Sequence, residues 1–229
     1  PQTGITLLEL PKFLQKKVLK TLKKGQVLEK SHFDPPYYLP DDLREKAIKN
    51  RLSLPVRLHD FAEIHNQFNL RNYEFHLSFK EVLESDLDIN FYPKENNYSI
   101  HLPDYIDSST LIDPFSQDST ISDKSNKVLE KVVKFASKLQ DKTSSKVPIV
   151  GSFSVLNTDK ELFYSRCKGL IEKFKEENCH LFPQWLPPIA WYFGGSVALD
   201  VFNSEEDVEW IKNFSIPICL DICHFGMCF

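Results

Sequence analysis

Glycine is scarce in this chain, 7 among 229 residues, and methionine occurs once. Such a composition excludes collagen-like, linker-like and low-complexity readings, even with 14 prolines present. An excess of positive charge is also missing: 28 Lys and Arg against 32 Asp and Glu leave a net charge of −4. A groove that tracks phosphates needs a positive field, and the one basic run (Lys16, Lys17, Lys20, Lys23, Lys24) is confined to the first segment. Nucleic acid is therefore not an expected partner. No apolar run approaches the ~18 residues of a membrane span, and none has the layout of a secretory signal, so no membrane partner is expected either. The five cysteines, Cys167, Cys179, Cys219, Cys223 and Cys228, are odd in number and form no compact framework. They argue against a disulfide-stapled secreted domain and for reduced thiols in the cytoplasm. The spacing Cys219-x3-Cys223-x4-Cys228 is only superficially that of a zinc cluster. Cys219 and Cys223 lie in or beside an apolar run and are expected to be buried.

What is present reads as an ordinary globular chain, 41% hydrophobic and 26% charged, long enough for one sizeable domain and a small appendage. It begins with Pro1 rather than Met and stops at Cys228-Phe229 just after an apolar strand candidate. Both ends read as cut, so part of any active site is expected to lie outside it. The first segment, to about Phe33, is apolar and basic, with a turn at Lys23-Lys24-Gly25 leading into a short strand. Asp34-Pro35-Pro36-Tyr37-Tyr38-Leu39-Pro40 is a candidate linker, because consecutive prolines hold the backbone extended and remove donors. A short helix from Asp41 to Asn50 follows, with Asp41 or Asp42 to cap it.

From Leu54 onward, short apolar strand candidates alternate with helical patterns. The strands are Leu54–His59, Tyr73–Ser78, Tyr98–Leu102, Val147–Phe153, Ile189–Phe193 and Ile216–Ile222. Thr158 with Glu161 and Ser204 with Asp207 are capping-box patterns that open two of the helices. A third helix, after Ser122 or Ser125, carries Val128, Val132, Ala136 and Leu139 on one face. Such alternation predicts an α/β fold with a parallel sheet. Two architectures fit: a (β/α)8 TIM barrel truncated after about six strands, or an open doubly wound sheet. No Gly-x-Gly-x-x-Gly or Gly-x4-Gly-Lys-Ser/Thr loop follows any strand, which favours the barrel.

Ionisable residues gather near the carboxyl ends of most of these strands. The first offers Arg57, His59 and Asp60; the second Glu74, His76 and Ser78, whose alternation turns them to one face. The third offers His101 and Asp104, the fourth only Ser152 and Ser154, and the last Asp221 and His224. In a barrel these ends converge on one mouth. Imidazoles and carboxylates there can ligate a divalent metal or abstract a proton beside a carbonyl. A lone strand-end histidine is ordinarily a hydrogen-bonded scaffold residue; several near one end point to a functional mouth. His32, His65 and His180, outside these ends, are expected to be solvated. Trp185, Trp191 and Trp210 are core or rim aromatics, and Gly194-Gly195-Ser196 is a tight turn or a weak phosphate contact.

Two resemblances add to this reading. Pro217-Ile218-Cys219-Leu220-Asp221-Ile222-Cys223-His224 is similar to the sixth strand of the xylose-isomerase-like sugar phosphate isomerases and epimerases, and Glu74-Phe75-His76-Leu77 and Ile100-His101-Leu102-Pro103 are similar to their early strands. For residues 54–229 the resemblance implies a metal-dependent TIM barrel acting on a small sugar or sugar phosphate. Asp221 becomes the ligand of a divalent Mn, Zn or Mg ion. His224, His76, His101 and Glu74 become catalytic, and Arg57, His59 and Trp191 substrate-binding. Those enzymes also place a metal-binding Glu at the end of strand five, where Ala190–Ser196 offers no acid, and further ligands would fall beyond Phe229. Residues 1–33, with Pro1-Gln2-Thr3-Gly4-Ile5 and Leu22-Lys23-Lys24-Gly25-Gln26-Val27-Leu28, resemble the second half of the antifreeze-like (SAF) domain that closes bacterial sialic acid synthases. That resemblance implies an isomerase-like barrel attached to a phosphoenolpyruvate-condensing synthase, in surface-polysaccharide biosynthesis, with a homo-oligomer formed through the parent synthase. The rival expectation is a non-catalytic barrel that binds a sugar or scaffolds the synthase. Nuclease activity on the same fold is disfavoured by the acidic charge balance.

Overall fold

Asn72–His76 (β2) and Asn97–His101 (β3) alternate strictly: Tyr73, Phe75, Tyr98 and Ile100 are buried, while Glu74, His76, Ser99 and His101 are half-buried. Successive strand side chains point to opposite faces, so the sheet has one sealed face and one polar face. The computed structural model describes residues 4–228 other than 7, 20, 34–39, 85–86, 154, 156–157 and 193–194, with the side chains of 31 and 190–197 also outside the described set. The expected linker, Ser154 and Gly194 fall in these gaps.

Around β2 and β3 stand Ser53–Val56 (β1), Pro148–Gly151 (β4) and His180–Pro183 (β5), forming one five-stranded sheet in the order β1-β2-β3-β4-β5. Every pairing is parallel, for example His76 opposite His101 and Val150 opposite Phe182. The connections carry Phe61–Phe68 (α2) between β1 and β2, Phe79–Glu84 (α3) between β2 and β3, Ser119–Thr143 (α4) between β3 and β4, and Lys160–Glu176 (α5) between β4 and β5; Asp41–Lys49 (α1) precedes the sheet. Parallel crossovers are right-handed. A strictly sequential order therefore keeps these helices on one face, and the sheet has no switch point of the kind a doubly wound sheet requires.

The sealed face is aromatic. Phe75 lies 4.9 Å from Tyr92, 5.6 Å from Tyr98 and 5.6 Å from Phe135 of α4, measured between ring centroids, and Phe61 of α2 closes the cluster at 5.0 Å from Tyr92. On α5 the buried residues Phe163, Tyr164, Cys167, Leu170, Ile171 and Phe174 recur at helical spacing and pack toward β5. Asp118 caps α4 by accepting from Thr120 N, and Asp159 caps α5 by accepting from Leu162 N, both at 2.8 Å. These displace the expected caps Ser122 or Ser125 and Thr158; Ser125 is instead buried inside α4, bonded to Asp113 N. The Ser204–Asp207 capping box opens Glu205–Asn213 (α6) as expected.

Two expected strands are corrected. Ile189–Tyr192 (β6) is not the fifth parallel strand; it pairs antiparallel with Gly195–Ala198 (β7) in a separate two-stranded sheet. Only two residues separate them, a length that joins antiparallel partners, whereas parallel partners need a crossover of about a dozen residues. The fifth position belongs to β5, a short segment ending in proline. The expected sixth strand, Ile216–Ile222, contracts to one parallel bridge between Cys219 and Gln184; Cys219 N donates to Pro183 O at 2.8 Å and Trp185 N to Cys219 O at 2.9 Å. Beyond it Ile222–Gly226 turns into a short helix (α7).

In the first segment, 3-10 turns occupy Leu10–Lys12 and Lys30–His32, Ile5 N donates to Leu28 O at 2.7 Å, and Gly25 sits at φ 84°, where a side chain would be strained. The short strand expected after Gly25 is not formed among the described residues. His32 is buried and takes a 3.0 Å bond from Glu29 N on Nδ1, and His65 is bonded to Tyr73 Oη at 2.9 Å, so neither is a solvated surface residue. Burial also pushes the Cys167 thiol up to about 12 and raises Cys179, whereas Cys223, expected to be buried, is exposed. Among the described residues no helix is long and apolar enough to cross a membrane.

Gly151 ties this packing to the polar face. Its carbonyl accepts from Gln184 N at 2.8 Å, and a Cβ built on it would lie 2.5 Å from Leu102 Cδ1 and 3.3 Å from both Leu102 Cγ and Phe153 Cε2. Leu102 and Phe153 are themselves buried. Overpacking of this kind costs about 1–3 kcal/mol, more than the ~0.4–1 kcal/mol gained by removing a glycine from the unfolded chain. Gly151→Ala is therefore expected to lower stability by about 1–2 kcal/mol net in denaturant unfolding; a gain in stability would contradict the packing described.

Candidate active site

The polar face of the sheet ends in a cavity of about 450 Å³. His76 and His101 close β2 and β3, Ser152 and Gln184 directly follow β4 and β5, and Asp221 lies two residues past the Cys219 bridge. All five line the cavity, with Glu74, Asp104 and His224. Leu186, Pro187, Ile189 and Met227 supply an apolar wall.

Hydrogen bonds link these residues into a chain. Glu74 Oε1 is 2.7 Å from His76 Nε2, and Glu74 Oε2 accepts from Ser99 Oγ at 3.3 Å. The hydrogen bond with His76, aided by the one from Ser99, holds the Glu74 carboxyl below the usual carboxylate value, against the opposing effect of burial. The His76 and His101 rings stack with centroids 4.8 Å apart and planes 20° apart. His101 Nε2 lies 3.0 Å from Gln184 Oε1, Gln184 Nε2 donates to Asp221 Oδ2 at 3.2 Å, and His224 Nδ1 lies 3.4 Å from the same oxygen. Asp221 Oδ1 accepts from His224 N at 3.0 Å and so caps α7. His224 Nδ1 is also 3.3 Å from Trp185 O.

Proton positions follow from the partners. An ionised Glu74 only accepts, so His76 Nε2 carries the proton, and in the neutral ring Nδ1 holds the basic lone pair. His224 Nδ1 faces a carbonyl and a carboxylate, so its proton sits there and the lone pair falls on Nε2. The cavity wall thus carries two imidazoles able to accept a proton and two carboxylates able to stabilise the resulting charge.

Seven of the residues singled out in the sequence, Glu74, His76, His101, Asp104, Ser152, Asp221 and His224, come together in this cavity. Arg57 and His59 do not line it. Arg57 Nη1 donates to His76 O and lies 4.0 Å from Glu81 Oε2, and His59 Nδ1 is 3.6 Å from Glu81 Oε1. Glu81 is fixed in turn by Ser78 N and Oγ, both at 2.8 Å. The Trp191 side chain lies outside the described residues. Gln184 carries no strand-end signal when the fifth strand is read at Ile189–Phe193, which starts nine residues after β5 does. Its signal, a polar residue directly after the short apolar run Leu181-Phe182-Pro183, becomes visible once β5 is located.

The resemblance implies a divalent ion at Asp221, and the enzymes that carry it place an acid at the end of strand five. That position is Gln184, whose amide N–H points at Asp221 and presents a positive dipole where a cation would stand. Asp221 already accepts on both oxygens, and among the described residues no group of three or more His, Cys, Asp or Glu side chains is arranged to hold a metal. The donor set of these residues does not fit a divalent ion. No family model matches the chain, and no curated protein matches it.

The Glu74–His76 pair sets a pH dependence. A carboxyl whose folded value lies below its usual 4.5 contributes stability that is fully present above that value and lost as pH falls through the lower, folded one. Glu74→Gln removes this contribution. In denaturant unfolding at a series of pH values, wild type should exceed Glu74→Gln at neutral pH, and the gap should narrow as pH drops below 4.5. A gap that widens toward acid would contradict the pairing.

Proposed function

We propose that residues 54–229 form a barrel-type sugar isomerase or epimerase domain that moves a proton beside a substrate carbonyl, within a sialic-acid-synthase-like protein of cytoplasmic carbohydrate biosynthesis. The observation that carries the reading is the convergence of Glu74, His76, His101, Asp221 and His224 on one cavity at the carboxyl ends of a parallel sheet. A (β/α)8 barrel is supported by the sequential strand order and by the way Cys219 continues the sheet after β5, as a sixth strand does. The synthase context is supported by the resemblance of residues 1–33 to an antifreeze-like domain.

In the proposed step, the C–H bond next to the carbonyl breaks and its proton passes to His76 Nδ1. The electron pair becomes a carbon–carbon double bond, and the carbonyl electrons move onto oxygen, giving an enolate. Return of that proton from His76 to the neighbouring carbon on the same face, while His224 Nε2 takes the proton of the adjacent hydroxyl and hands it to the former carbonyl oxygen, completes isomerisation and restores both imidazoles. Glu74 stabilises the imidazolium formed on His76 through the 2.7 Å bond. His224, with its lone pair on Nε2, is the second proton carrier. The cavity volume suits a small sugar, and its mixture of donors and acceptors suits hydroxyl groups. No step runs through a metal.

One observation favours the rival, a barrel that binds a sugar without turning it over: an amide, not an acid, follows β5. Solvent exchange separates the two. Incubation of the full-length protein with aldoses, ketoses and N-acyl hexosamines in deuterated water is expected to put deuterium on the carbon beside the carbonyl, read by NMR. His76→Asn is expected to slow this by about 100-fold or more, the range of one general base. Binding of a sugar without exchange would establish the rival.

A further inference from the structure

The bonds made by His101 carry more than its place in the cavity. Its Nδ1 lies 2.8 Å from Leu102 O, and its Nε2 lies 3.0 Å from the side-chain oxygen of Gln184. A backbone carbonyl only accepts. An amide has an accepting and a donating end, so its orientation decides what Nε2 must be. One contact settles that orientation: Gln184 Nε2 faces Asp221 Oδ2 at 3.2 Å, a carboxylate that only accepts, which leaves Gln184 Oε1 toward Ser152 Oγ at 3.4 Å and toward His101. Reversing the amide would set its oxygen against the Asp221 carboxylate. With the amide held this way both His101 nitrogens face acceptors, and only the doubly protonated ring satisfies both.

We infer that Gln184 is a positioning residue that fixes His101 as an imidazolium, a standing positive charge in the cavity wall for an anionic oxygen of the substrate or its enolate. The surroundings agree. Glu74, Asp104 and Asp221 line the same cavity as His101, and the ring stacked on it, His76, holds its own proton toward Glu74. His224 is turned to Asp221 and Trp185 O. Gln184 and Ser152 are buried, which shields the amide from exchange with water. Because both N–H groups are engaged, His101 acts through its field rather than by giving up a proton. A preorganised charge of this kind stabilises developing negative charge without reorganising. The catalytic meaning rests on the proton-transfer reading above; the protonation state does not.

The test therefore needs no substrate. Long-range 1H–15N spectra of the 15N-histidine-labelled full-length protein report which imidazole nitrogens carry protons, and His101→Asn assigns the signal by its loss. In wild type His101 is expected to carry protons on both nitrogens at neutral pH. Gln184→Glu keeps an acceptor on Nε2 and adds negative charge, so the doubly protonated pattern should persist to higher pH than in wild type. Gln184→Met keeps the length and removes the acceptor, so the pattern should vanish at lower pH. Opposite displacements support the assignment, since a merely structural disturbance moves both variants alike. A neutral His101 ring in wild type at that pH, or displacement of both variants in one direction, would overturn it.

Discussion

Sequential parallel winding is the constraint on which everything else here depends. When each strand is laid beside its predecessor through a right-handed crossover, the helices have one face of the sheet to cover and cover it completely. Strand side chains alternate, so half of them are sealed under helices whatever their neighbours do. Along β2 and β3 the sealed half is Tyr73, Phe75, Tyr98 and Ile100, and its aromatic rings form one cluster with Phe61, Tyr92 and Phe135. The other half, Glu74, His76, Ser99 and His101, is thereby released from the core and delivered to a single surface. Parallel register does the rest, setting His76 directly opposite His101.

Polar side chains on such a face must find partners among themselves, because a half-buried carboxylate or imidazole left unpaired is costly. The pairing found here is linear, running from Ser99 through Glu74 to His76, across the ring stack to His101, and on through Gln184 and Asp221 to His224. Gln184 is the link that sets direction along this chain, since its amide has one accepting and one donating end and the donating end is turned to a carboxylate that only accepts. Asp221 serves twice, as partner to Gln184 and as cap of α7, so the position of the last helix and the state of the cavity are mechanically joined. The proposed chemistry asks little more of the scaffold than this: two rings with free lone pairs, and a third held charged.

The legible part of the fold was the part where local pattern and tertiary role coincide. β1 to β4 fell within a few residues of their expected positions, because each is an apolar run bounded by turn residues. The helices on Val128–Leu139 and Phe163–Phe174 showed their buried faces at helical spacing. Caps were misplaced by a residue or a turn, since Thr158 and Asp159 are equally suited in sequence and only the chain's entry angle selects one. The fifth strand was missed for a different reason. His180–Pro183 is four residues long and ends in proline, whereas Ile189–Tyr192 is more apolar and satisfies every local criterion for a strand, as it is; what differs is its partner.

Composition and pattern by themselves determined that this is an α/β chain with a parallel sheet, and that Glu74 and His76 share one face. Those are consequences of period and residue type, which act locally. That His101, Asp221 and His224 belong with them, that Arg57 and His59 turn instead to Glu81, and that Gln184 joins β3 to the end of the chain was decided by tertiary structure. These relations depend on which strand lies beside which and on the direction of a single amide, and neither is written in any short stretch of sequence.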